Sequence, residues 1–165
     1  MSGMRRILFD VVQEYYWPAM EPVWKVMSED PSYELSVRVG ENFDRLFGVF
    51  LRSRKRRIEE DYRRRGFRVT DGHAGFDAVI CGDTLPDPES YGDALLCNVD
   101  HGPCFKTLRY RNLLKQPNVR YVVFAEGRYR MERLADYGLD KKETVVDVGL
   151  PKLDPFFQGW YQREP

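Results

Sequence analysis

The chain has 165 residues, enough for one domain of ordinary size and too few for two full ones. It is 42% hydrophobic and 14% aromatic, and 26 basic residues balance 26 acidic ones, which excludes disorder and removes any global case for nucleic-acid binding. No apolar run reaches the roughly 18–20 residues of a membrane span, and residues 1–6 lead into no small-residue cleavage site, so a cytoplasmic protein is expected, with Met4 as a candidate start.

Residues 6–12 form an apolar run without polar alternation and predict a buried first strand. Trp17, Met20, Val23, Trp24 and Met27 follow at helical spacing; Pro18 suits a first turn, and Pro22 is expected to delay or kink the start. Residues 33–39 predict a second strand. Residues 41–65 carry the longest helical stripe, through Phe43, Phe47, Phe50, Ile58 and Tyr62, closed by Gly66. Short strands are expected at 67–70 and 77–81, a Pro/Asp/Gly-rich loop at 84–92, and a buried strand at 94–99. A helix over 105–115, a strand over 120–125, a helix over 128–137, a strand over 144–148 and a short helix over 152–157 complete the pattern.

Strands alternating with helices predict an α/β fold: a Rossmann-like, mostly parallel sheet with helices on both faces. Such sheets bind ligands beyond the carboxyl ends of their strands. That directs attention to residues 13–17, Gly82 and Asp83, residues 100–106, Glu126 and Gly127, and residues 149–154.

The strongest local signal is Asn-Val-Asp-His-Gly-Pro-Cys-Phe-Lys, residues 98–106. A buried strand delivers His101 to its carboxyl end, Gly102 permits close approach, and Lys106 is expected one turn into the next helix. A base beside an anion-binding helix terminus suits deprotonation of a hydroxyl next to a phosphate, and His has the fitting pKa. A structural His capping the turn is the competing reading.

Gly-Leu-Pro-Lys-Leu-Asp, residues 149–154, makes a second strand-to-helix turn, in which Lys152 and Asp154 contact a polar ligand or cap the helix. The basic stretch 52–65 reads either as a phosphate-attracting face or as a solvated helix with internal pairs such as Arg56–Glu60. Tyr15, Tyr16 and Trp17 form an acceptor wall or pack the core. His73, in a turn-like segment, is expected to be exposed. Cys81, Cys97 and Cys104 fit no zinc spacing; reduced thiols and no metal or cofactor are expected.

The order of these signals resembles the N-terminal half of the CDP-glycerol glycerophosphotransferase family, which builds teichoic-acid-type polymers of the cell envelope. The resemblance spans roughly residues 5–159 and rests on the His-Gly motif with its following Lys and on Gly-Leu-Pro-Lys-Leu-Asp. It implies one half of a GT-B architecture: residues 4–165 as a single acceptor-side domain, with the nucleotide-binding C-terminal domain absent from this chain. It implies transfer of glycerol phosphate from CDP-glycerol to a hydroxyl acceptor, often lipid-linked, with CMP leaving. His101 takes the catalytic role. Asp100, Gly102 and Lys106 flank it at the substrate, and Gly149, Pro151, Lys152 and Asp154 line the cleft or shape it. The family often has Trp before the His and Thr after the Gly, where Asp100 and Pro103 stand here. On this reading the chain alone is an inactive part of a transferase, peripheral on the inner face of the membrane and open to self-association. The alternatives are a domain of a GT-B nucleotide-sugar transferase or epimerase, and a stand-alone non-catalytic α/β binding module.

Overall fold

The computed structural model describes residues 3–40, 49–102 and 106–160, with the side chains of 49–54 left aside. Its strands are β1 (Arg5–Val11), β2 (Tyr33–Val39), β3 (Ala78–Cys81), β4 (Leu95–Val99), β5 (Tyr121–Ala125) and β6 (Thr144–Asp147). Its helices are α1 (Trp17–Ser28), α2 (Val49–Arg64), α3 (Thr107–Leu114), α4 (Arg128–Asp136) and α5 (Asp154–Phe157). The strands pair in parallel in the order β2-β1-β3-β4-β5-β6. The expected strand at 67–70 is reduced to a parallel bridge, Val37 to Val69, on the outer side of β2. Counted as a strand, it completes the doubly wound Rossmann order.

A right-handed crossover fixes the helix faces: the chain moves one way from β1 to β2 and the other way from β3 to β6. On the α1 face, Phe9 of β1 packs edge-on against Trp24 at 4.9 Å and Trp17 at 6.3 Å, and Tyr62 of α2 joins Trp17 at 5.1 Å. Alternation turns Leu8, Asp10, Cys81 and Asn98 to the opposite face. Pro22 lies inside α1 without moving its start from Trp17. Residues 41–48 of the long expected helix lie outside the described residues.

The C-terminal chain returns over α1 through a 3-10 turn, Pro151–Leu153. Beneath it Ile7, Val23, Met27, Cys97, Phe124 and Pro151 enclose an apolar cavity of about 310 Å³. Val146, Val148, Leu153, Phe156 and Phe157 beside it are exposed. Among the described residues, no helix is long and apolar enough to cross a membrane.

Candidate functional site

The order in which the chain adds strands reverses between β1 and β3, and at their carboxyl ends the molecule opens a cavity of about 300 Å³. Its polar wall includes Gln13, Asp83, Thr84, Asn112 and Gln116, with Tyr16 as an aromatic side. Tyr16 and Asp83 are shared with the group that surrounds His101. The Tyr16 ring stacks on the imidazole at 4.4 Å and 24°, and Tyr15 meets it edge-on at 5.2 Å. Both tyrosines come from a 3-10 turn, Glu14–Tyr16, directly after β1. Tyr16 donates to Asp83 at 3.3 Å. Burial, then the Tyr15 hydroxyl and Asp83, push its phenol well above the ordinary range.

Gly82 is the hinge of this arrangement. A side chain there would place its Cβ 2.6 Å from the Tyr16 ring, so only glycine admits the ring to His101. Its carbonyl lies 3.2 Å from His101 Nδ1 and accepts from that nitrogen in the tautomer that leaves the lone pair on Nε2. Arg109 of α3 reaches both ring nitrogens, with 3.0 Å to Nε2. It also donates to Asp100 Oδ1 and stands 3.6 Å from Asp83. Partial burial, and then the Arg109 cation, lower the His101 pKa below 6.5; the Gly82 carbonyl, Asp100 and Asp83 pull the other way. Burial and the adjacent cation prevail, and the imidazole is held as a neutral base.

Asp100, expected beside His101, is there but does not face it as a close partner: the Nδ1–Oδ1 separation is 4.0 Å. It is buried, its carboxylate engaged by Arg109 on one oxygen and by Arg130 of α4 at 3.4 Å on the other. Gly102 follows His101 on the half-buried rim. Lys106 precedes α3 in an extended conformation and is exposed, rather than standing one turn inside a helix. Pro103, Cys104 and Phe105 lie outside the described residues.

Among the described residues, 149–154 make no hydrogen bond, ion pair or ring contact with His101. Pro151 lines the apolar cavity against α1, Gly149 turns with φ +76°, and Lys152 and Asp154 are exposed. Cys81 and Cys97 are buried thiols; burial raises Cys97 to about 11 and Cys81 well above its usual value. His73 is half-buried rather than exposed, because Tyr91 receives its ring edge-on at 5.3 Å. In the basic stretch, the Arg56–Glu60 pair is present at 3.7 Å.

Arg109 and Arg130 were not singled out by the sequence. Both flank apolar positions on short helices, where an Arg reads as a solvent-facing residue until the strand beneath it is known. No protein-family model, curated protein or solved structure matches this chain.

Proposed function

We propose that this domain carries the acceptor-activating base of a group-transfer enzyme, with His101 as the base, of the CDP-glycerol glycerophosphotransferase kind. One observation carries the reading: a half-buried imidazole, partnered by an arginine, shares two of its neighbours with the polar cavity at the sheet's switch point. A base must be unprotonated before reaction, and burial with Arg109 provides that near neutral pH. The cavity's amides and hydroxyl, with the Asp83 carboxylate and the Lys115 ammonium also on its wall, suit a hydroxyl-bearing acceptor.

In the proposed step, an acceptor hydroxyl oxygen attacks the glycerol-bearing phosphorus of CDP-glycerol. The new O–P bond forms as the bond to CMP breaks, CMP takes the bonding pair, and the hydroxyl proton passes to Nε2 of His101. Arg109 occupies Nε2 before substrate arrives. A phosphate oxygen competes for the guanidinium, which frees Nε2 and leaves the cation beside the developing negative charge. His101 then returns its proton to solvent.

The nucleotide side of such a reaction is assigned to a second domain. The reaction is placed in the cytoplasm at the inner membrane face. The exposed Arg56, Arg57, Arg63 and Arg64 of α2, of which Arg56, Arg63 and Arg64 pair with Glu60, Glu59 and Asp61, are the residues proposed to meet anionic headgroups.

The test is a donor panel with the natural full-length protein. CMP release from CDP-glycerol, dependent on a hydroxyl acceptor, supports the reading. Turnover of a nucleotide sugar with none of CDP-glycerol replaces it with a sugar transferase. Binding without turnover of any donor replaces it with a non-catalytic module.

A further inference from the structure

We propose that Arg130 is a positioning residue for this site: from α4 it engages the second oxygen of Asp100, so that Asp100 holds Arg109, and Arg109 in turn holds His101. The inference rests on His101 being the working base, and it concerns a residue in the next strand connection of the chain.

Arg130 is 2% exposed. Its guanidinium lies 3.4 Å from Asp100 Oδ2 and 3.9 Å from Glu126, and 4.6 Å from the centre of the Tyr110 ring. Tyr110 is the neighbour of Arg109 on α3, and its other partner is the Tyr137 ring, stacked at 4.8 Å and 4°. One side chain thus ties α4 to the carboxyl end of β4 and to the helix that carries Arg109. Burying a cation costs several kcal/mol unless it is paired, and an apolar side chain of similar volume fills the same space without that cost. What Arg130 adds beyond packing is therefore a fixed positive charge on Asp100.

That charge bears on His101. The groups facing the imidazole are Tyr15 and Tyr16 from the turn after β1, Asp83 after β3, Asp100 after β4, and Arg109 of α3. Among the described residues, the groups facing Arg130 include Asp100, Glu126 and the Tyr110 ring, over which Arg133 also lies at 5.6 Å. With Arg130 in place, Asp100 is shared between two cations. Without it, Asp100 draws on Arg109 alone, and its uncompensated charge favours the imidazolium.

The chain has only two histidines, so proton NMR follows His101 directly, with His73, in the segment before β3, as an internal reference. Arg130→Gln and Arg130→Met are expected to raise the His101 midpoint by about half a unit to one unit, leaving His73 unmoved. Arg130→Met keeps a long unbranched side chain over Tyr110 and secures a folded variant. Arg130→Lys, which restores the charge, is expected to return the midpoint toward that of the unmodified protein. A folded Gln or Met variant with an unmoved His101 midpoint overturns the proposal, whatever it does to melting temperature. The titration needs no substrate. Failure to transfer glycerol phosphate would sink the function and leave this result standing, while an unmoved midpoint in an active enzyme would sink this inference alone.

Discussion

Two buried acid–arginine clusters lie on the same face of the sheet, and they differ in what they hold. In the first, Arg38 of β2 meets Asp10 of β1 at 2.8 Å, and the Tyr91 hydroxyl donates to the same Asp10 oxygen. Asp10 is fully buried, and its other carboxylate oxygen has no hydrogen-bond partner. Burial and the Asp10 charge push the Tyr91 phenol well above its usual range, so it stays protonated and donating. In the second, Arg109 hydrogen-bonds one Asp100 oxygen and reaches on to a half-buried imidazole, while the other oxygen, like that of Asp10, accepts no hydrogen bond among the described residues and has Arg130 at 3.4 Å as an ion-pair partner. The cavity at the switch point is walled by Tyr16 and Asp83, which belong to the second cluster. A buried ion pair is therefore not what marks the site. The mark is a half-buried imidazole, joined to that pair and to an open cavity.

The sharpest test of this contrast is His101→Ala. It is expected to cut CMP release by roughly 10²–10⁴-fold, the range for general-base catalysis, with little change in melting temperature. An unchanged rate would make the second cluster structural like the first. Asp10→Ala is expected to do the reverse. Removing one partner of a buried pair costs about 3–5 kcal/mol, read by denaturant unfolding, while the His101 titration stays in place.

Gly82→Ala probes how the second cluster is assembled. The added Cβ meets the Tyr16 ring at 2.6 Å, so the ring must leave His101, at a cost of about 1–3 kcal/mol for overpacking. The ring-current shift of the His101 protons should collapse in the same variant. A folded Gly82→Ala protein with an unchanged shift would mean that the stack does not depend on that glycine.

The pH dependence is smaller and has a fixed sign. His101 has its folded pKa below 6.5, so the unfolded chain binds the proton more readily. Its stabilising contribution is complete above the unfolded pKa and declines as pH falls from there through the folded value. Stability of the His101→Gln variant should lose this part of the acid-side slope. Smallest of all, Arg56→Ala should change stability by no more than about 0.5 kcal/mol, because its pair with Glu60 is largely exposed.

The sequence by itself determined the alternation of strands and helices, and with it the parallel sheet and the edge at which to look. Apolar continuity in β1 and β4, the Gly stops and the strand-to-His step at residues 99–101 are local properties, and local properties survive in a linear reading. His101, Tyr16, Gly82 and Asp83 were all legible as residues just past strand ends, because the α/β fold fixes that location in advance.

Which of those segments converge was a different matter. The turn at 149–154 has a weaker local pattern than the His-Gly turn, and nothing in that pattern shows that the chain carries it back over α1, against the apolar cavity. Lys106 promised a cation inside a helix, but α3 starts at Thr107 and leaves it exposed. Arg109 and Arg130 have the opposite history. Their positions on helix faces look solvated until α3 and α4 dock on the sheet and bury both guanidiniums against Asp100. Period and capping are set by neighbours a few residues away. Partnership between Asp100, Arg109 and Arg130 is set by strand order and helix docking, which bring together residues up to thirty positions apart. Only the tertiary structure could decide that, because the energy that pairs a buried charge exists only once the water has been removed from around it.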